Sequence, residues 1–283
     1  MRKFFLSFAD SRMSRALARV RQQAEEMGCY DHIVVADQSY LDISFREKYK
    51  DKLTPAVRGY GYWCWKPQVI LQLLAQVNEG DIIQYTDAGC HLNKAGQARL
   101  MDYFQFADQA ESGILAFAAI PPEFHDPSVV LPDLTEWRWC KADLFKYFGV
   151  SDNAEITQTP TIGAGIIFIK KNKQSQKILE QWRAVVDRDF SLIDDSPSKE
   201  KNQPQFVEHR HDQSIFSILC KVHGVALVSA YEYGYPSKHS NTPNWTVLKN
   251  FPIHAKRDKA LSLPMRIIDI AKKVERRLKR LMA

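Results

Sequence analysis

A carboxylate stands at the end of a stretch that otherwise has the pattern of a buried strand. Residues 80–93 read GDIIQYTDAGCHLN, in which apolar Ile82 and Ile83 are followed by Asp87 and Gly89. A carboxylate can hold a hard cation or a polar ligand through its oxygens. It can equally begin a turn or cap the next helix. The sequence leaves both interpretations of Asp87 open.

The densest polar group of the chain is His209-Arg210-His211-Asp212-Gln213, directly before an apolar run. A helix cap explains Asp212, because a carboxylate is favourable in the first helical turn. It explains His209, Arg210 and Gln213 poorly. The His-x-His spacing also permits a metal site, although that spacing alone is a weak signal.

A third candidate is an aromatic and basic cluster formed by Arg58, Tyr60, Trp63, Trp65 and Lys66. Cations bind phosphate, and rings stack on a base or a sugar. The alternative is that the tryptophans are anchors of the core. Core packing explains Lys66 less easily, because it lies just before Pro67 at a helix start.

Small residues mark a further position. Gly163, Ala164 and Gly165 precede the apolar run IIFIK. Small side chains at a strand entry let a ligand or another backbone approach closely. A β-bulge or a tight turn is the alternative explanation.

The elements that must position these residues alternate along the chain. We predict strands over 3–8, 32–37, the first part of 80–93, 113–119 and 161–171, and helices over 14–28, from Pro67, and over 94–110, 136–150, 175–190 and 211–224. This alternation predicts an α/β fold with a mixed, mainly parallel sheet flanked by helices. Ligands of such sheets bind at the carboxyl ends of the strands, where Asp87 is expected.

The composition is that of a globular protein. The chain has 283 residues and is 45% hydrophobic, enough for a sizeable core. Its five cysteines include no C-x-x-C pair, which argues against a disulfide framework and a structural zinc site and indicates a reducing cytoplasm. No run of about 18 apolar residues exists, so we predict no membrane span.

The charge is concentrated at the C-terminus. The net charge is +6, and residues 265–283 carry seven basic and two acidic side chains, a net +5. The nearly neutral remainder argues against nucleic acid as a partner. Apolar residues recur at helical spacing in this tail, so we predict a basic amphipathic helix over 261–283 that lies on an anionic membrane surface. A helix docked on the domain and a nucleic-acid tail are the alternatives.

Four segments in order now resemble a known family: a strand ending YTDAG, then TIGAGIIFIKKN, HDQSIF and HAKRDK. Together they resemble the GT-A fold of nucleotide-sugar glycosyltransferases, and are most similar in pattern to family 8 and related bacterial surface-polysaccharide enzymes. RGYGYWCWKP, residues 58–67, is also similar to a segment of such enzymes. The resemblance covers roughly residues 1–260, which we predict to be one domain.

The resemblance implies a divalent metal, Mn²⁺ or Mg²⁺, on the donor diphosphate. Asp87 would be its first ligand, His254 would be a further one, and His91 is a possible helper. The family's second aspartate is replaced here by Gly89, so Arg58 and Lys66 could instead carry much of the opposing charge.

The resemblance also implies the other site residues. Asp212 would bind sugar hydroxyls, and Gln213 would lie near the reacting face. Residues that would contact the donor nucleotide or its diphosphate are Ser7, Phe8, Ala9, Asp10, Asp37, Arg58, Lys66, Asp87, Ala88, Gly89 and Lys256, with Arg257 beside the last. For Asp10 and Asp37, capping of a strand-to-helix turn is the alternative.

The expected activity is transfer of a sugar from a UDP-linked donor to a saccharide or lipid-linked saccharide, with retention of configuration. The expected location is cytoplasmic, peripheral on the inner face of the cytoplasmic membrane. A catalytically inactive relative that binds nucleotide or glycan is the alternative, and Gly89 favours it. A nucleotidyltransferase would need a glycine-rich loop near the N-terminus, and SFADSRMSR has no glycine.

Overall fold

The computed structural model describes residues 1–238, 242–261, 270, 271 and 274. Of the predicted C-terminal helix, Ile270, Ala271 and Val274 are helical and exposed. The rest of that prediction lies outside the described residues. Within the described part, no helix has the length and apolar character needed to cross a membrane.

The centre of the structure is a six-stranded sheet. Within the described residues the strands are, in chain order, Lys3–Phe8 (β1), His32–Ala36 (β2), Ile82–Thr86 (β3), His91–Leu92 (β4), Ile114–Ala118 (β5), Ile162–Lys170 (β6), Ala226–Ser229 (β7) and Ile253–His254 (β8). The sheet order is β2-β1-β3-β6-β5-β7, and β4 pairs separately with β8. Only β6 runs antiparallel to its neighbours in the large sheet. The predicted mixed, mainly parallel sheet is confirmed.

Helices cover both faces of the sheet. Their bounds are Ser14–Met27 (α1), Ile43–Lys48 (α2), Gly59–Tyr62 (α3), Trp65–Gln76 (α4), Gln97–Gln109 (α5), Glu136–Trp139 (α6), Ala142–Tyr147 (α7), Ala154–Thr157 (α8), Lys173–Arg188 (α9) and Asp212–His223 (α10). Residues of α4, α9 and α10 share one core with Leu6, and residues of α1 and α5 share another with Phe5. The side chains of Leu6 and Phe5 are fully buried. Burial of each contributes about 1.5–3 kcal/mol to the stability of the fold.

The predicted helix over 136–150 is wrong in one respect, because it is two short helices. Cys140 is extended, with φ −136° and ψ 133°, and separates α6 from α7. Lys141 explains the break. Its backbone N–H donates to Nδ1 of His209, and its Nζ donates to the Ser191 carbonyl at 2.9 Å. These distant partners hold the chain away from helical geometry.

The antiparallel direction of β6 determines where the site forms. Thr86 at the carboxyl end of β3 pairs with Ile166 in the middle of β6, so the amino-terminal half of β6 extends beyond the end of β3. Residues 163–165 therefore lie at the same edge of the sheet as Asp87. The β4–β8 pair, in which His91 faces His254, brings residues 255–260 back over the turn that follows β3.

Candidate functional site

The Lys66 ammonium group joins two carboxylates at the carboxyl edge of β3. Its Nζ lies 2.7 Å from Oδ2 of Asp212 and 3.2 Å from Oδ1 of Asp87. It also donates to the Ala164 carbonyl at 3.0 Å. Four segments that are far apart in sequence therefore meet at one cation. Three of the predicted site residues, Lys66, Asp87 and Asp212, are brought together.

Asp87 is the accessible member of the trio. Its side chain is 38% exposed, compared with 3% for Lys66 and 7% for Asp212. The Tyr85 hydroxyl donates to Oδ1 at 2.7 Å, and the Asp87 backbone N–H donates to the Gly165 carbonyl at 2.8 Å. The carboxylate is thus held from both sides and still faces solvent.

Gly165 is needed for this arrangement. A Cβ at this position would lie 3.0 Å from Oδ2 and 3.5 Å from Cγ of Asp87. The predicted close approach at residues 163–165 is therefore to a side chain of the site itself. Gly163 is also close to a side chain, since a Cβ there would lie 2.8 Å from the Tyr233 hydroxyl.

Asp212 is the first residue of α10 and is almost completely buried. Burial raises the pKa of Asp212 to about 6, with Asp87 acting in the same direction and Lys66 opposing it. The residue before it, His211, has φ 57° and ψ −123°, a conformation that a side chain rarely adopts. The main chain is strained at the point where it delivers the carboxylate.

Lys66 is buried but stays charged. Burial acts to lower its pKa, but the carboxylates of Asp212 and Asp87 outweigh burial and raise it. A buried ammonium group is stable only when it is paired and hydrogen-bonded, and Lys66 has three oxygen partners.

An unusual turn precedes α4 and positions Lys66. Residues 59–63 all have positive φ, between 53° and 94°, and form a left-handed turn at α3. Such a backbone costs about 1–2 kcal/mol for each non-glycine residue, and here these are Tyr60, Tyr62 and Trp63. The Trp65 indole N–H donates to the Gly59 carbonyl at 3.1 Å and closes the turn.

The two tryptophans of the predicted cluster have different positions. Trp65 is buried, and its ring centroid lies 4.3 Å from that of Phe8, so it is a core anchor. Trp63 lies 5.7 Å from the His211 ring and is only partly buried. Arg58 contacts Asp195 at 3.3 Å, so its guanidinium already has one anionic partner.

The histidines of the 209–213 group anchor a loop. His209 donates from Nε2 to the Leu192 carbonyl and accepts the Lys141 backbone N–H at Nδ1. His211 donates from Nδ1 to the Ile193 carbonyl at 2.7 Å. Burial foremost lowers the pKa of His211 to about 3, so it is neutral. Gln213 lies next to Asp212 and is partly buried.

The predicted nucleotide contacts at the first two strand ends have local partners. Asp10 accepts from the backbone and side chain of Arg12, and Asp37 accepts from the backbone and hydroxyl of Ser39. Both are therefore capping residues. Ser7 is buried with its hydroxyl unpaired among the described residues, and Ala9 packs with Ala88. Nucleotide contact by Ser7, Phe8, Ala9, Asp10 and Asp37 stays a prediction.

The strap, which we define as residues 255–260, crosses the turn after β3. The Asp258 backbone N–H donates to the Gly89 carbonyl at 2.9 Å. Arg19 ties the two segments together, donating to the Ala88 carbonyl and to the carboxylate and carbonyl of Asp258. Lys256 and Arg257 are exposed on the strap.

The candidate metal ligands already have other partners. His254 donates from Nε2 to the Leu248 carbonyl, and His91 contacts Asp258 at 3.0 Å through Nε2. Asp87 already shares Oδ1 between Lys66 and Tyr85. The described residues contain no group of three or more His, Cys, Asp or Glu side chains that could hold a metal ion. This donor set fits a divalent cation poorly.

Two surface clefts lie elsewhere, and neither is lined by Asp87, Lys66 or Asp212. One, of about 430 Å³, lies between α4 and α9. The other, of about 650 Å³, is lined by β2, Asp37 and Arg21. We place the site at the charged cluster because the chemistry lies there, and cleft size alone supplies no reacting group.

Sequence reasoning missed several residues that hold the site together. These residues are Tyr85, Arg19, Tyr233 and Asp258. The alternation of β3 could have indicated Tyr85, which lies two residues before Asp87 and therefore points to the same face. No sequence signal indicates the long-range pairing of Arg19 with Asp258.

Three solved structures of glycosyltransferases are similar to this chain. One, involved in glycosylation of the major capsid of PBCV-1, has a TM-score of 0.45 and 11% identity over 92% of this chain and 98% of that chain. Mouse xyloside xylosyltransferase 1 has a TM-score of 0.43 and 9% identity over 90% and 96%. Galactosyltransferase LgtC, in complex with donor and acceptor sugar analogs, has a TM-score of 0.39 and 14% sequence identity over 95% of each chain.

No protein-family model and no curated protein sequence matches the chain. At these identities and TM-scores, the similarities to solved structures carry no conclusion about activity. The chemistry of the site must supply it.

Proposed function

We propose that this protein is a glycosyltransferase that moves a sugar from a nucleotide-sugar donor to a saccharide acceptor. The observation that carries the proposal is the Lys66 ammonium group between Asp87 and Asp212 at the carboxyl edge of the sheet. That edge is where open α/β sheets bind their ligands. The buried pair of Lys66 and Asp212 also has a cost in stability that function would explain.

The proposed roles combine this geometry with those that the sequence resemblance implies. Asp87 faces solvent and directs its carboxylate towards the donor, while Lys66 holds it in place. Asp212 binds sugar hydroxyls, and Gln213 lies beside the reacting face. The oxygen of the acceptor hydroxyl forms a bond to the anomeric carbon as the bond from that carbon to the diphosphate oxygen breaks. The diphosphate leaves with the electron pair and takes up the proton of the hydroxyl.

The finer features of the proposal rest on the sequence resemblance. The donor is UDP-linked, the acceptor is a saccharide or lipid-linked saccharide of bacterial surface polysaccharide, and configuration is retained. An inverting enzyme would need a base for the acceptor hydroxyl, and a carboxylate with a pKa of about 6 such as Asp212 would serve. The location is cytoplasmic, peripheral on the inner membrane face through the basic C-terminal segment.

The second candidate is a catalytically inactive protein that binds a nucleotide or glycan. Gly89, in place of a second aspartate, favours it. The retained trio of Lys66, Asp87 and Asp212 argues against it, because a binding site has no need of a strained backbone at a buried carboxylate.

The test is release of nucleotide from a panel of UDP- and GDP-sugars by wild type, Asp212→Asn and the control Asp152→Asn, an exposed carboxylate. We expect wild type and Asp152→Asn to be equal, and Asp212→Asn to lose about 100-fold or more in kcat. The wild-type rate should rise as pH increases through about 6, because Asp212 then ionises. Asp212→Asn should lack this rise.

Two results would argue against the proposal. Binding of nucleotide sugars without turnover in wild type would favour the inactive protein. Absence of binding to every nucleotide and nucleotide sugar in the panel would reject both candidates.

A further inference from the structure

The strap packs against Gly89, the position where the family pattern has a second metal-binding aspartate. A Cβ at Gly89 would lie 3.4 Å from Cα and 3.5 Å from the carbonyl carbon of Arg257, in van der Waals contact with the strap main chain. The strap therefore limits the room for a larger side chain on that side. The glycine is therefore matched to the strap that packs on it.

The strap is fastened at this position by several groups. Asp258 receives the Arg19 guanidinium at 2.9 Å and the His91 imidazole at 3.0 Å, and its backbone N–H bonds to Gly89. Ala260 packs against Ala88 on the other side. Displacing the strap to admit a metal ligand would break all these contacts.

Arg257 is the cation that the strap places beside Asp87. It is exposed, and within the described residues its guanidinium has no ion pair or hydrogen bond. Its Cα would lie 3.4 Å from a Cβ at Gly89, two residues after Asp87. The strap therefore places this residue at the turn that carries the carboxylate.

The charges around Asp87 also argue against a bound divalent metal ion. The Asp87 carboxylate is already compensated by Lys66 at 3.2 Å and by the Tyr85 hydroxyl at 2.7 Å. Both partners use Oδ1, so Asp87 would offer a divalent cation only Oδ2, and Gly89 supplies no second carboxylate. An arriving diphosphate instead meets Arg257, which can donate two parallel hydrogen bonds to phosphate oxygens.

We propose that the nucleoside diphosphate group is bound without a divalent metal ion, with Arg257 on the strap supplying the positive charge beside Gly89. This inference rests on the proposed function, because it assigns the charge partner of the donor at the same site. It departs from the Mn²⁺ or Mg²⁺ that the sequence resemblance implies.

The experiment is calorimetric titration of UDP into metal-free full-length protein, with EDTA and then with Mn²⁺. We expect the Kd for UDP to agree within about twofold in the two conditions. Arg257→Gln should weaken UDP binding by about tenfold or more, as expected for loss of a hydrogen bond between charged groups. Arg257→Lys should restore part of the affinity.

Lys173→Gln is the matched control. Lys173 is exposed at the start of α9, directly after the carboxyl end of β6, and so lies at the opposite edge of the sheet. This variant loses the same charge and should bind UDP like wild type.

The outcomes separate this inference from the proposed function. UDP binding that requires Mn²⁺, or that is unchanged in Arg257→Gln, would overturn the inference and leave the transferase intact. Failure of UDP, GDP, ADP and CDP to bind in either condition would overturn both.

Discussion

At the scale of single residues, the site depends on contacts too short to tolerate an added methyl group. Gly165 is the clearest case, because the atoms that a Cβ there would meet within 4 Å are Oδ2 and Cγ of Asp87. The glycine therefore allows the carboxylate to lie between Lys66 and solvent. A larger side chain at Gly165 would therefore affect the site through Asp87 and would disturb little else.

We predict that Gly165→Ala displaces the Asp87 carboxylate and lowers donor turnover by about tenfold or more, a loss of about 1.4 kcal/mol or more in transition-state stabilisation. The melting temperature should stay near that of wild type. Turnover by donor hydrolysis and thermal unfolding are the two measurements. Normal turnover in Gly165→Ala would show that the position of Asp87 is unimportant.

Lys66 and Asp212 show that burial and charge are balanced at the same residues. Burial alone would neutralise either group, and each is kept in place by the other at 2.7 Å. Removing one partner of such a pair leaves an uncompensated charge, which is costly. The proposed test therefore uses Asp212→Asn, which removes the carboxylate charge but keeps the side-chain shape and one oxygen that can accept from Lys66, while Lys66 remains paired with Asp87.

At the scale of elements, the left-handed turn at residues 59–63 is the most unusual feature. Its strain is offset by Trp65, whose indole closes the turn, and by the Tyr62 and Trp63 rings against His211. The turn therefore connects the start of α4, which carries Lys66, to the segment before α10, which carries Asp212. Strain persists where surrounding contacts determine it, often at functional sites.

Gly59→Ala should destabilise the protein more than Gly28→Ala. Both glycines have similar positive φ, 59° and 64°. A Cβ at Gly59 would lie 2.5–2.6 Å from the Trp63 ring, whereas one at Gly28 meets nothing within 4 Å. We expect a loss of about 1–2 kcal/mol for Gly28→Ala from backbone conformation. Overpacking should add about 1–3 kcal/mol for Gly59→Ala.

Urea denaturation of both variants measures this difference. UDP affinity should also fall in Gly59→Ala, because the turn positions Lys66, and should be unchanged in Gly28→Ala. Equal stability losses would mean that Trp63 moves away without cost and that the turn is not held by packing.

At the scale of the whole molecule, charge is divided between a nearly neutral body and a basic tail. The last nineteen residues hold a net +5 of the total +6. Each basic residue near an anionic membrane contributes about 1 kcal/mol, and the effect decays within a Debye length. The proposed location at the membrane therefore depends on a short segment and leaves the sheet and its site unaffected.

We expect the full chain to sediment with vesicles containing phosphatidylglycerol, less strongly as salt is raised, and not with purely zwitterionic vesicles. A chain ending at Leu261 and the double variant Arg276→Glu/Arg277→Glu should both lose this binding. UDP titration is the control, since both should retain wild-type affinity. Equal sedimentation of the truncated chain would place membrane contact elsewhere or remove it.

Much of the fold could be predicted from local patterns. Apolar runs such as 3–8 and 161–171 form strands because adjacent side chains pack into the two cores on either side of the sheet. Gly28 ends α1 as expected, with the left-handed geometry that glycine favours. These features follow from residue type and spacing within one segment.

The site could be predicted only in part. Asp87 and Asp212 follow from their positions at a strand end and a helix start, and Lys66 from its unexplained charge beside Pro67. Their meeting could not be derived, because it depends on the antiparallel direction of β6 and on the register of Thr86 with Ile166.

By itself, the sequence determined five of the six strands of the large sheet, most of the long helices, the class of sheet and the residues able to do chemistry. It did not indicate β7. The tertiary structure alone decided that Lys66 lies between two carboxylates, that residues 136–150 break at Lys141, and that the strap covers Gly89. The physical reason is the same in each case. These features are set by partners far away in the chain, and local propensity carries no information about such partners.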